Sequence, residues 1–155
     1  MISNATPLIC LARIQQLELL RKLFDKVIIP KEVEEEIVIN DKPGLNALKE
    51  AIGSGIIEVV NQKKVIHLGL DKGETAAISL ARERNDTILL DDAAAIKAAE
   101  ALNITTMRTT SILFVAVQKK ILTKKEALVL LNKIIENGYY IAPRYYMLLT
   151  QKLNS

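Results

Sequence analysis

Thr87-Ile88-Leu89-Leu90-Asp91-Asp92-Ala93 is the stretch that decides the fold. Residues 87–90 are β-branched or aliphatic without alternation, as in a strand buried on both faces. Asp91 and Asp92 end it, and the alanine-rich run from Ala93 to Leu102 reads as a helix. Upstream, Asp71 or Lys72 opens a helix to about Arg84 through Ala76, Ala77, Ile78, Leu80 and Ala81. Working outward, Met1-Ile2-Ser3 reads as a short first strand. Thr6 is expected to cap the next helix, with Pro7 at its first position. Leu17 to Phe24 continues as a second helical segment. Val27-Ile28-Ile29 is a strand closed by Pro30, Lys31 to Val38 a helix, and residues 44–52 a helix ended by Gly53-Ser54-Gly55. Ile56 to Val60 and Ile104 to Met107 read as further strands. Thr109 or Thr110 is expected to cap a helix to about Lys119. Thr123 caps one to about Glu136, Gly138 stops it, and a last helix follows Pro143. Strands separated by helices imply an α/β fold: a parallel sheet with helices on both faces.

The chain has 155 residues, 50% hydrophobic and 25% charged, which excludes a disordered or collagen-like protein. One domain over residues 1–155 is expected. No apolar run approaches the length of a membrane span. The opening residues lack the basic segment of a signal peptide, so a cytoplasmic location is expected. A lone cysteine, Cys10, excludes an internal disulfide framework and a cysteine-rich zinc site. Charge is uneven: residues 1–96 hold 12 Lys and Arg against 15 Asp and Glu, whereas residues 97–155 hold 9 against 3. An acidic front and a basic back suit a protein that holds cations at one place and a polyanion at another, though a solvated lysine-rich surface accounts for the same pattern.

Sites in open α/β sheets lie at the carboxyl ends of the strands. Asn4 follows the first strand, with Thr6 close behind, and Asp91 and Asp92 follow the strongest later one. Glu36 and Glu74 lie on helices near that edge. Were these acids to converge, they would require a cation, since carboxylates ~4 Å apart repel by about 4 kcal/mol at an effective dielectric of 20. Oxygen donors without His or Cys select a hard ion such as Mg²⁺ or Mn²⁺. Such an ion activates water toward a phosphodiester.

At these positions the sequence resembles the PIN-domain family. The resemblance rests on Ile2-Ser3-Asn4-Ala5-Thr6-Pro7-Leu8-Ile9, on Ile28-Ile29-Pro30 followed by Val33 and Glu36-Ile37, on Gly69 to Ile78, and on Leu89-Leu90-Asp91-Asp92-Ala93 through Leu102. Residues 109–155 resemble a helical C-terminal extension found in small VapC-like prokaryotic members. The resemblance implies a three-layer α/β/α sandwich around a central parallel sheet. It implies a Mg²⁺- or Mn²⁺-dependent endoribonuclease acting on single-stranded RNA, plausible as the toxin of a toxin–antitoxin pair, with a cognate antitoxin and a homodimer as partners and no membrane. Glu36, Glu74 and Asp92 are the implied catalytic residues. The implied metal ligands are Asn4, Glu36, Glu74, Asp91 and Asp92. Thr6 matches a hydroxyl residue of the first motif and is expected at the substrate. Asn4 departs from the family pattern, which has an aspartate there. An amide oxygen binds a hard cation without adding charge, so the alternative is a weakened or inactive module that binds RNA or a protein.

Several residues carry a plainer reading. Glu34 and Glu35 read as a solvated helix face, Cys10 as a core thiol and His67 as a loop residue. Asp91 or Asp92 can cap the helix that follows, and Glu74 suits a first helical turn. Lys119 and Lys120 can meet substrate phosphates, although a solvated turn is the commoner use of such pairs. Tyr139-Tyr140 and Tyr145-Tyr146 hold all four tyrosines, and packing of the terminal segment is favoured over base stacking.

Overall fold

The computed structural model describes residues 1–39 and 43–154. In chain order the elements are β1 (Ile2–Ser3), α1 (Ala5–Arg13), α2 (Glu18–Leu23), β2 (Val27–Pro30), α3 (Lys31–Ile39), α4 (Leu45–Gly53), β3 (Ile57–Val60), α5 (Lys72–Arg84), β4 (Ile88–Leu89), α6 (Ala93–Ala101), β5 (Thr106–Met107), α7 (Thr109–Gln118), α8 (Lys124–Glu136) and α9 (Pro143–Asn154). The strands form one five-stranded parallel sheet in the order β3-β2-β1-β4-β5. Ile2 is in register with Ile28 on one side and Ile88 on the other.

The strand order reverses at β1. Right-handed crossovers therefore send the helices of the two halves to opposite faces, giving the three-layer α/β/α arrangement. α5 packs under β1, β2 and β4, while α1 packs with α4, α7 and α8. α3 follows β2 with no loop and touches both α1 and α5, so it sits at the carboxyl edge of the sheet. Ile2, Ile29, Ile57, Ile88, Leu89 and Leu90 are fully buried and join side chains from α1 through α9 in one continuous core.

The helix starts correct two expectations. α1 begins at Ala5 with Asn4 as its N-cap, so Thr6 and Pro7 both lie inside the first turn. α7 is entered from Arg108, because the extended residue at its start is Arg108 and Thr109 is already helical. Thr123 caps α8 as expected, in a reciprocal box with Glu126: each side chain accepts from the other residue's backbone N–H.

Gly44 precedes α4 and lies against the end of α1. Its φ is +100°, and a Cβ there would stand 2.9 Å from the Ala12 Cβ. Gly55 has a similar φ of +87° with nothing within 4 Å. Alanine at either position carries a left-handed backbone cost of about 1–2 kcal/mol. Gly44→Ala should therefore lower the unfolding free energy by more than Gly55→Ala in urea titrations. Equal losses would mean that α1 and α4 are not held this closely.

Candidate functional site

β1 and β4 are neighbours whose following connections diverge, which opens a crevice at their carboxyl ends. Asn4 leaves β1 there, and its backbone N–H donates to the Leu89 carbonyl at 3.1 Å. Asp91 and Asp92 leave β4 at the same edge. An asparagine at an N-cap ordinarily uses its side-chain oxygen to bond the first-turn amides. Asn4 makes no such bond. Its side chain is 5% exposed, and Oδ1 has no hydrogen-bond partner. A buried acceptor left this way costs about 1–3 kcal/mol.

Glu36 reaches the same point from α3. A Cβ on Gly73 would collide with Glu36 Oε2 and stand 3.7 Å from Asn4 Oδ1. The bare backbone of Gly73, in the first turn of α5, is what admits the Glu36 carboxylate beside Asn4. Burial raises the Glu36 pKa above its ordinary value, and the charge of Asp71 adds to that.

Glu74 follows Gly73 and is buried. Its carboxyl is pushed up to about 7, by burial first, then by the charge of Asp71, a side-chain hydrogen bond with Asp71, and the charge of Asp92. Asp71 caps α5 by accepting from the Glu74 N–H at 2.8 Å, and Asp92 caps α6 by accepting from the Ala95 N–H at 2.9 Å. Among the described residues, no Lys or Arg nitrogen comes within 4 Å of Asp71, Glu74 or Asp92. At the rim, Lys72 pairs with Glu35 at 3.7 Å.

Asp91 is held differently from Asp92. Its Oδ1 accepts from the Thr109 N–H at 3.0 Å and from the Tyr139 hydroxyl at 2.6 Å, and its Oδ2 accepts from the Thr109 hydroxyl at 2.6 Å. Arg108 donates to its backbone carbonyl at 3.1 Å. Asp91 thus ties β4 to the start of α7 and to the segment before α9. Burial and the Asp91 charge both raise the Tyr139 pKa, so the phenol stays protonated as the donor.

A cleft of about 720 Å³ opens over this edge, lined by Asn4, Thr6, Asp92, Arg108, Tyr140 and Tyr145 among others. Thr6 is exposed within it. Lys119 and Lys120 lie elsewhere: they follow α7, where Lys119 Nζ donates to the Leu23 carbonyl, and neither lines the cleft. Cys10 is buried with its thiol pushed up to about 12, chiefly by burial and then by Asp91, so it is no nucleophile. His67 is an exposed loop residue lining a separate pocket with Glu32 and Thr75.

Sequence reading missed Asp71, Gly73 and Arg108 as parts of this site. Asp71 reads as a helix opener, which it is. Nothing local reveals that a glycine makes room for a distant glutamate. Arg108 follows the last strand at the carboxyl edge, a position that could have marked it.

Among the described residues, no three Asp, Glu, His or Cys side chains enclose an ion by themselves. The donors nonetheless suit a hard cation of the Mg²⁺ type, which keeps several waters and takes only one or two carboxylates. The unpartnered Asn4 Oδ1 beside Glu36 is such a partial set. The uncompensated acids Glu74 and Asp92 add negative potential.

A family model described as a PIN domain matches residues 1–155. No curated protein and no solved structure matches the chain.

The raised Glu74 pKa sets a pH dependence for the metal-free protein. Below pH 4.5 the carboxyl is protonated in folded and unfolded chains alike. Between there and about 7 the folded chain keeps a proton that the unfolded chain has released. The Glu74 contribution to stability is therefore full below about 4.5 and is lost as pH rises through about 7, with Glu36 acting in the same sense. In EDTA, the fall in melting temperature between pH 5 and 8 should be smaller for Glu74→Gln than for the natural chain (about 2–4 °C per kcal/mol at this size). Parallel curves for the two proteins would mean that Glu74 is not desolvated.

Proposed function

The chain belongs to the PIN-domain family, and on that premise we propose that it is a divalent-metal-dependent endoribonuclease of single-stranded RNA. The fold is one of nucleases. The observation that carries the reading is the buried, unpartnered Asn4 Oδ1 set beside Glu36 at the strand-order reversal, with Glu74 and Asp92 uncompensated next to it.

Glu36 would hold the ion with Asn4 supplying a neutral oxygen, and Glu74 and Asp92 would add negative charge around it. A bound Mg²⁺ or Mn²⁺ supplies activation of water and neutralisation of charge on the phosphodiester. The chain's own groups do the rest. The Thr6 hydroxyl stands in the cleft where it can donate to a phosphate oxygen. Arg108, fixed against the Asp91 carbonyl, brings a permanent positive charge to the same wall. We assign Asp91 to positioning, since its oxygens already hold Thr109 and Tyr139. The roles of toxin, antitoxin partner and homodimer rest on the family resemblance alone.

Asn4 favours a second reading, an RNA-binding module that does not cut. Its amide adds no charge, so cation affinity falls relative to a carboxylate there.

The test is cleavage of an end-labelled single-stranded RNA in Mn²⁺. The natural chain should cleave it and EDTA should abolish cleavage. Asp92→Asn and Glu36→Gln should each lose at least about 100-fold, the scale seen when one charge-stabilising group is removed. Asn4→Asp should bind Mn²⁺ more tightly and cut faster. Cleavage that survives EDTA or Asp92→Asn rejects the mechanism. Binding without cleavage by the natural chain, with cutting by Asn4→Asp, selects the second reading.

A further inference from the structure

The four tyrosines of residues 139–146 divide into two kinds. The Tyr139 hydroxyl donates to Asp91 at 2.6 Å, and the Tyr146 hydroxyl donates to Asn132 of α8 at 2.8 Å. These two anchor the terminal segment, as the packing expectation had it. Their neighbours do otherwise. Tyr140 is 81% exposed and Tyr145 39% exposed, and both line the cleft with Asn4, Thr6, Asp92 and Arg108.

We propose that Tyr140 and Tyr145 form a stacking subsite for the unpaired bases of single-stranded RNA. The proposal rests on the nuclease reading above and extends it to substrate recognition. The argument is electrostatic. The Asp92 carboxylate lines the cleft, and the charge there repels a polyanion, so contacts that do not depend on phosphate charge are needed beside Arg108. Stacking on an aromatic face is such a contact, and it is open to every base because each has a π-face. Anchoring one tyrosine of each pair fixes the backbone from which the other projects, so little ordering entropy remains to be lost on binding. Arg108 on the same wall leaves the phosphates a cationic partner. A double helix hides its base faces and could not use the rings, so the subsite selects single strands.

The chain has no Trp and four Tyr, so tyrosine emission reports the rings directly. A labelled ten-nucleotide single-stranded RNA is titrated in EDTA, which prevents metal-dependent cutting, and followed by anisotropy and tyrosine emission. Tyr140→Leu and Tyr145→Leu should each weaken binding about tenfold or more and reduce the quenching. Tyr140→Phe and Tyr145→Phe should bind like the natural chain. Tyr146→Phe, which loses an anchoring hydrogen bond but no stacking ring, should weaken binding less than either leucine variant. Should Tyr145→Leu fail to fold, Tyr140→Leu, at the more exposed ring, carries the test alone. Unchanged affinity in the folded leucine variants overturns the proposal, and so does a failure of the natural chain to bind. A change in solution mass without a change in RNA affinity also overturns it, and assigns the rings to a second copy of the chain. Cutting of RNA by leucine variants at the natural rate and affinity removes the subsite and leaves the nuclease. Binding with quenching but no cutting in Mn²⁺ removes the nuclease and leaves the subsite.

Discussion

Repulsion among oxygens crowded at one edge of a parallel sheet is the constraint on which the rest of this structure depends. The reversal of strand order at β1 brings Asn4 and Asp92 to one crevice. α3 and α5 then deliver Glu36 and Glu74 to it, close enough for Gly73 to be sterically necessary. The protein partly relieves the repulsion. Asp71 and Asp92 each accept from a helix N-terminal amide, whose partial positive charge offsets some of the crowding. The relief stops short of Glu74, whose carboxyl rises to about 7, and of the Asn4 oxygen, which has no donor. Leaving them open makes sense where a cation completes the arrangement.

A second regularity is division of labour between adjacent residues. Asp91 uses both oxygens on Thr109 and Tyr139, while Asp92, one residue on, faces the cleft. Tyr139 and Tyr146 are hydrogen-bonded inward, while Tyr140 and Tyr145 line the opening. Glu35 meets Lys72 at the rim, while Glu36 turns toward Asn4. In each case one residue fixes the backbone and its neighbour presents chemistry from it. Rigid support of this kind holds reacting groups without further ordering on binding.

Much of the fold was legible because it follows from local patterns. Unalternating apolar runs marked β2 and β4, and Thr123 with Glu126 marked the start of α8. The two misplaced helix starts have one cause. Near β1 and before α7, several residues of capping type crowd together and local sequence does not decide among them; at α7 the Thr109 hydroxyl bonds Asp91 instead of capping the helix. The acids at the carboxyl edge were legible as separate signals, since the rule for α/β sheets names that edge in advance. What could not be read was convergence. The space Gly73 leaves for Glu36 joins residues far apart in sequence, and so does the tie from Asp91 to Tyr139. The lysines at 119 and 120 show the converse, for a basic pair signals charge but not which face of the molecule it will occupy.

The most direct measurement is an anomalous difference map from crystals grown in millimolar Mn²⁺ and recorded near the manganese edge. A peak beside Asn4 Oδ1 and the Glu36 carboxylate, lost in Glu36→Gln crystals, is the result expected. A clean map at that position, or a lysine or arginine nitrogen occupying it, would contradict a site left open for a divalent ion.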